Sequence, residues 1–316
     1  MQKLLLTILS CCSIALYAQF GTPAGEVGST AIHADSNCFI DWGNTAHIIK
    51  GYMDISMPDS GTVDVGNAES ACGPAKQNGV VSLGDSGVAV VQFFNAIIDG
   101  AGFDFAIFEN AFNDTFLELA HVEISNDGET YYRFPSTSLT QYKKQLGTFD
   151  GINTEKIHNL AGKYRFPYGT PFDISELDSV YTDLPEEFYF VRITDVIGSI
   201  NPKWASKDQL GNIINDPWPT PFISSGFDLD AVGMINGRIT NCVNLQTHPS
   251  LYFYSINEET FIKSRESCTI KFYNNSGMLV EVISILKSGD TIPVKLQNSG
   301  VYYWKTEQYS GSIFIK

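Results

Sequence analysis

Asp228 and Asp230 stand two residues apart in Gly226-Phe227-Asp228-Leu229-Asp230-Ala231. On a strand, positions i and i+2 point to the same face, so these carboxylates repel unless a cation or basic group lies between them. Calcium takes about six to eight oxygens, mainly carboxylates and carbonyls, and suits long exported loops. Asp216, Asp195 and Glu109 are the candidate partners from other segments. The competing reading is a solvated strand face with a loop-capping Asp. A second set is aromatic: Trp204, Trp218, Phe222, Tyr164 and Tyr168. Exposed rings stack on the apolar faces of sugars, while nearby Asp, Asn and Arg take hydrogen bonds. Trp218, Trp204, Tyr164, Arg165 and Asn110 are therefore the candidate ligand-binding residues, against the alternative of a packed loop core. Lys163-Tyr164-Arg165 is basic in an acidic region; it either holds an anion or neutralises surrounding carboxylates.

Signals for catalysis are weak. The sequence has no G-x-S-x-G, no H-E-x-x-H and no phosphate loop. His33, His47, His121, His158 and His248 are scattered, and His121 reads as part of a packed strand. Glu118 and Glu123 are an odd number of residues apart, on opposite faces of one strand, and make a poor acid–base pair. A long sandwich rich in carboxylates still leaves room for a glycosidase pair.

Short strands must position these groups. Val88–Phe94, Phe103–Phe108, Leu117–Ser125, Thr130–Phe134, Phe188–Thr194 and Phe227–Ile235 are β-branched and aromatic runs bounded by turn residues. Asn126-Asp127-Gly128 is a hairpin signal, since these residues tolerate positive φ. Residues 19–78 read as a loop-dominated lead-in. Two long connections, Pro135–Pro185 and Asp195–Gly226, interrupt the strands; the first carries an expected short helix at Leu139–Leu146. Loops of this length in a compact domain are usually functional. Residues 248–316 repeat strand, turn and strand, in keeping with a small immunoglobulin-like sandwich.

The 316 residues carry a net charge of −15, which excludes the basic face a nucleic-acid binder needs. The acid excess lies before residue 245, with 12 Lys+Arg against 29 Asp+Glu between residues 19 and 245. Residues 246–316 are nearly neutral, which marks a boundary. Lys3 followed by the apolar Leu4–Leu16 and by Ala18 reads as a signal peptide over residues 1–18. A lipoprotein signal at Cys11 is the rival. No later apolar run is long enough to span a bilayer. Cys38, Cys72, Cys242 and Cys268 remain after cleavage; Cys38–Cys72 is the favoured disulfide in an exported chain, with separate buried thiols as the alternative.

The C-terminal unit resembles the type A C-terminal sorting domain of the type IX secretion system in Bacteroidota. The residues that carry the likeness are Ile270–Gly277, Asn298–Lys305 and Gly311–Lys316, with Gly300-Val301-Tyr302-Tyr303 at the family's Gly-[IV]-Tyr strand. His248-Pro249-Ser250-Leu251-Tyr252 stands where the family opens on Tyr-Pro-Asn-Pro. The central part is similar to a group of exported bacterial cell-surface proteins with no established enzymatic role. The shared stretches are Ser82–Gly87, Asp99–Asn110, Glu118–Ser125, Ala161–Arg165, Gly169–Asp173, Asp216–Thr220 and Gly226–Gly233. The resemblance implies a jelly-roll, carbohydrate-binding-like sandwich.

The expectation is an all-β chain: signal peptide 1–18, a jelly-roll-like β-sandwich over 19–245, and an immunoglobulin-like sorting domain over 248–316. It would be secreted across the outer membrane to the cell surface or beyond, and would bind a glycan or another small nutrient such as a corrinoid without catalysis, with Ca2+ as a candidate ion. Its partners would be the type IX machinery and an outer-membrane receptor. The alternatives are a glycan-active hydrolase using paired carboxylates, or a structural adhesion component.

Overall fold

A computed structural model describes residues 20–239, 251–256, 259–264, 266–287, 291–296, 300–307 and 310–315. The chain is almost entirely β, with sheets packed in a sandwich-like arrangement. In chain order the first strands are β1 (Ile32–His33), β2 (Asp41–Trp42), β3 (Thr45–Ile49), β4 (Val81–Ser82), β5 (Val88–Ile97), β6 (Phe105–Glu109) and β7 (Ala120–Ser125). They continue with β8 (Tyr132–Arg133), β9 (Thr137–Ser138), β10 (Ile157–His158), β11 (Tyr168–Phe172), β12 (Phe188–Asp195), β13 (Asp228–Met234) and β14 (Gly237–Arg238). One antiparallel sheet runs β1-β11-β6-β13-β2, with β4 also on β13. The other runs β14-β5-β12-β7-β8, with β3 also on β5.

Period-two alternation explains how the sheets face each other. Val91, Phe93, Val122, Ile124, Val191 and Ile193 turn inward from the second sheet, against Phe105, Ile107, Phe172, Leu229, Val232 and Met234 of the first. Each fully buried side chain of this size contributes about 1.5–3 kcal/mol of transfer free energy. Along β6 every residue is buried, because its outer face is covered too: Phe108 packs on Phe39 and Trp42, with ring centroids 5.6 Å from each. These covering rings belong to the lead-in, which is more structured than its composition suggests. It supplies β1, β2 and β3 as added strands on both sheets.

The hairpin expected at Asn126-Asp127-Gly128 joins β7 to β8, and Gly128 has φ 75. The helix expected at Leu139–Leu146 does not form. The Gln141 side chain accepts from the Lys143 and Lys144 amides, and Asn215 Nδ2 donates to the Gln141 and Lys144 carbonyls. Side chains thus take the backbone groups a helix would pair. The helical pieces of this connection are 3-10 turns at Thr154–Lys156 and Ile174–Ser179.

A separate apolar cluster lies within β15 (Leu251–Ile256), β16 (Glu259–Ser264), β17 (Cys268–Tyr273), β18 (Leu279–Ile285), β19 (Thr291–Val294), β20 (Gly300–Lys305) and β21 (Ser310–Ile315). These form sheets β15-β16-β19 and β18-β17-β20-β21 around Phe253, Phe272 and Trp304. Cys38, Cys72 and Cys268 are free, so the favoured Cys38–Cys72 disulfide is absent. Cys72 instead donates its thiol to the Ala68 carbonyl at 3.1 Å. Cys242, His248 and the signal segment lie outside the described residues. No described helix is long and apolar enough to cross a membrane.

Candidate functional site

Antiparallel pairing brings the ends of β4, β6 and β12 and the starts of β5, β7 and β13 to one end of the sandwich. The long connections close over this end, and most of the acidic residues singled out from sequence collect there. Asp195 accepts from the Phe227 amide at 2.8 Å and the Ser86 amide at 3.1 Å. Asp216 accepts from the Leu119 amide at 3.2 Å. Glu109 accepts from the Ala111 amide at 2.8 Å. Asp228 takes the Ser82 hydroxyl, and Asp230 takes the Lys76 amide at 3.0 Å. Asp228 thus ties β13 to β4, and the other carboxylates each secure a loop.

Two residues of this floor were not singled out for the site. Asp85 accepts from the Ile55 amide at 2.8 Å and from Trp218 Nε1 at 3.0 Å. Glu118 receives no hydrogen bond from any described residue; burial, followed by Glu109, Asp228, Asp216 and Asp195, raises its carboxyl well above the usual range. Along the sequence, spacing relates Glu118 only to Glu123, five residues on. Its actual neighbours come from other elements, a relation no local spacing encodes.

Burial dominates the electrostatics. It holds Glu109, Asp195 and Asp216 well above the ordinary carboxylate range. Burial also lifts Asp228 and Asp230 to about 6, against the hydrogen bonds from Ser82 and Lys76. Carboxyls raised in this way hold their protons to higher pH than exposed acids do, and a protonated carboxyl donates as well as accepts. Gly198 and Gly162 permit the close packing. A Cβ on Gly198 would lie 1.8 Å from Asp216 Oδ1, and one on Gly162, at φ +80, would lie 1.8 Å from the Glu118 carbonyl.

The five acids expected to share an ion do not converge as one cage. A β-bulge between Leu229 and Ala231 alters the register against β6, and Asp228 and Asp230 engage different partners. Among the described residues the group with metal-ligand spacing lies at the other end of the sandwich. Asp99, Asp104 and Asp173 each bring one oxygen within 4.8 Å of the others. Asp104 also accepts from the Gly100 and Ile174 amides and from Asn236 Nδ2.

The aromatic set divides. Trp204 and Trp218 pair at 6.3 Å between centroids, and the Lys203 ammonium lies 4.6 Å from the Trp204 ring centre. Phe222 stacks at 6.3 Å on Phe149, which lies 6.3 Å from Phe116. Phe149 is 78% exposed and Phe222 47%, so this run of rings faces water. The Thr148 hydroxyl donates to the Pro219 carbonyl at 2.7 Å, tying the two loops together. Tyr164 is withdrawn from any ligand: it is 1% exposed, and its hydroxyl meets Thr30 Oγ1 at 2.8 Å. Arg165 bonds Asp114 and the Ala24 carbonyl. The Lys163-Tyr164-Arg165 run thus clasps the N-terminal segment, with Lys163 near the Phe20 ring. Asn110 is half-buried, its amide 3.3 Å from the Asp228 carbonyl.

No protein-family model matches the sequence, and no curated protein matches it. Among solved structures, β-glucuronidase from Ruminococcus gnavus is similar at 10% identity and a TM-score of 0.20, over 86% of this chain and 45% of that one. Lactobacillus rhamnosus β-glucuronidase gives 12% and 0.18, over 86% and 45%. Bacteroides uniformis β-glucuronidase 3 gives 11% and 0.20, over 86% and 33%. The chain spans less than half the length of these enzymes. At such scores the likeness transfers neither fold nor activity.

Proposed function

We propose that this chain is an exported surface protein whose sandwich binds a saccharide or comparable small polyhydroxylated ligand, without catalysis, at its loop-covered end. The observation that carries the reading is the water-facing run of Phe116, Phe149 and Phe222 beside the Trp204–Trp218 pair. Exposed rings in a row keep an energetic cost in water that a stacked sugar face removes. The acidic floor behind Trp218 supplies carboxyl groups that meet hydroxyls, and Glu118 is the one with hydrogen-bonding capacity to spare. Calcium remains a candidate ion for the acidic groups.

On this reading residues 248–316 deliver the chain through the type IX secretion machinery. A chain lacking them should stop in the periplasm with its sandwich folded; surface display of the truncated chain would remove the sorting role. Calorimetry against a panel of glycans and cofactors tests the binding role. Saturable binding of a sugar is the expected result, and a panel with no binder favours a structural adhesion component. Release of reducing sugar from any glycan would replace the reading with the hydrolase alternative.

A further inference from the structure

The outward face of the β14-β5-β12-β7-β8 sheet lies away from the loop-covered floor and carries a different chemistry. Registered partners across antiparallel strands share a face. His47 pairs with Val90, Val90 with Arg192, Arg192 with Glu123, and Glu123 with Arg133. One row therefore crosses β3, β5, β12, β7 and β8, placing two guanidiniums around one carboxylate. Glu123 is 6% exposed and accepts from Arg192 Nε at 2.6 Å and from Arg133 Nε at 3.3 Å. Burial alone would raise the Glu123 carboxyl; the two arginines outweigh it and hold the carboxyl below its ordinary value.

Both arginines spend only their Nε on this contact. Their terminal nitrogens make no hydrogen bond to any described residue, and the side chains remain 31% exposed at Arg192 and 46% at Arg133. The Arg192 guanidinium also lies 3.7 Å from the centre of the Tyr131 ring, which fixes its plane. Phe190 and Gln92 pair in the neighbouring row, beside Ser125. The row is thus a positive, oriented patch on a strongly acidic protein. Guanidinium forks with unused terminal N–H groups match the paired oxygens of an oxyanion.

We propose that Arg133 and Arg192, held by Glu123 and Tyr131, form an oxyanion-binding site for the acidic groups of a charged oligosaccharide on the open sheet face. The oxyanion chemistry stands on this geometry alone. The saccharide rests on the function proposed above and adds an acidic-sugar preference to it. The shared chemistry is an exposed oxyanion, which a carboxylate or a sulfate supplies.

The test titrates the full chain with a hexuronate oligosaccharide, a sulfated oligosaccharide and a neutral oligosaccharide of equal length. At least one acidic ligand should bind more tightly than the neutral one, weakening as salt rises, and the two acidic arms identify the oxyanion. Arg133→Gln leaves Glu123 paired with Arg192, so the fold persists. It should cut acidic-ligand affinity by roughly tenfold or more and leave neutral-ligand binding unchanged. Tyr131→Leu should weaken the acidic ligand as well. Equal binding of all three ligands, binding of none, or an unchanged affinity in Arg133→Gln overturns the site. Phe149→Ala with Phe222→Ala separates the two readings: it should spare the salt-sensitive contribution of the arginines even if it abolishes neutral-sugar binding.

Discussion

Asp104 is completely buried, and burial lifts its carboxyl to about 6 despite hydrogen bonds from Ile174, Asn236 and Gly100. Its ordinary value is 3.8. Between those values the folded chain keeps a proton that the unfolded chain has lost, so the folded state binds more protons. Stability from this group is fully present below about pH 4 and falls as pH rises through 6, by about 3 kcal/mol in all. Asp104→Asn removes the titration. The substitution also costs hydrogen bonds, because the amide cannot accept from every donor Asp104 serves; that penalty, about 1–3 kcal/mol, does not vary with pH. Urea unfolding at pH 4, 5, 6 and 7, in chelator so that no cation bridges Asp99, Asp104 and Asp173, gives the stability difference between wild type and variant. The difference should shrink by about 2.4 kcal/mol from pH 4 to pH 7. A difference that stays constant with pH would refute the claim that burial raises this carboxyl.

Gly162→Ala places a Cβ against the Glu118 carbonyl in a left-handed backbone and should cost about 3 kcal/mol or more, read from a denaturant midpoint. Alkylation of the denatured, unreduced protein should modify both Cys38 and Cys72, with mass spectrometry as the readout; a peptide pair linked through them would contradict the free thiols. Glu118→Gln should raise stability at alkaline pH, where the carboxylate is charged and lacks a donor, while weakening ligand binding. Loss of stability there, or unchanged binding, would argue that Glu118 is not a ligand group.

Sequence made the long strands legible, because their burial depends on their own alternation. Val88–Phe94 and Phe188–Thr194 became the paired strands β5 and β12. The lead-in was opaque for the opposite reason. Strands such as Asp41–Trp42 exist only because β13 offers them an edge, and two residues carry no period. Leu139, Tyr142 and Leu146 have helical spacing, yet Asn215, far along the chain, claims the carbonyls of that segment. At the site, Asp228 and Asp230 were visible as a pair, but the bulge that separates their roles was not. Trp204 and Trp218 stood out by type and Pro-rich context. Phe116 and Phe149 did not, since their partners lie in different loops. Tyr164 and Arg165 carry two readings in the sequence, ligand groups or packed and charge-neutralising residues, and the structure uses them to anchor the N-terminal segment.

The central claim is ligand capture by the water-facing rings of the loop-covered end. Calorimetric titration of wild type and of Phe149→Ala with Phe222→Ala, using the tightest neutral glycan from the panel, tests it most directly. Both rings are exposed, so the double variant should keep its unfolding midpoint. Loss of two stacking contacts should weaken binding about tenfold or more. Unchanged affinity in a folded double variant would contradict the account.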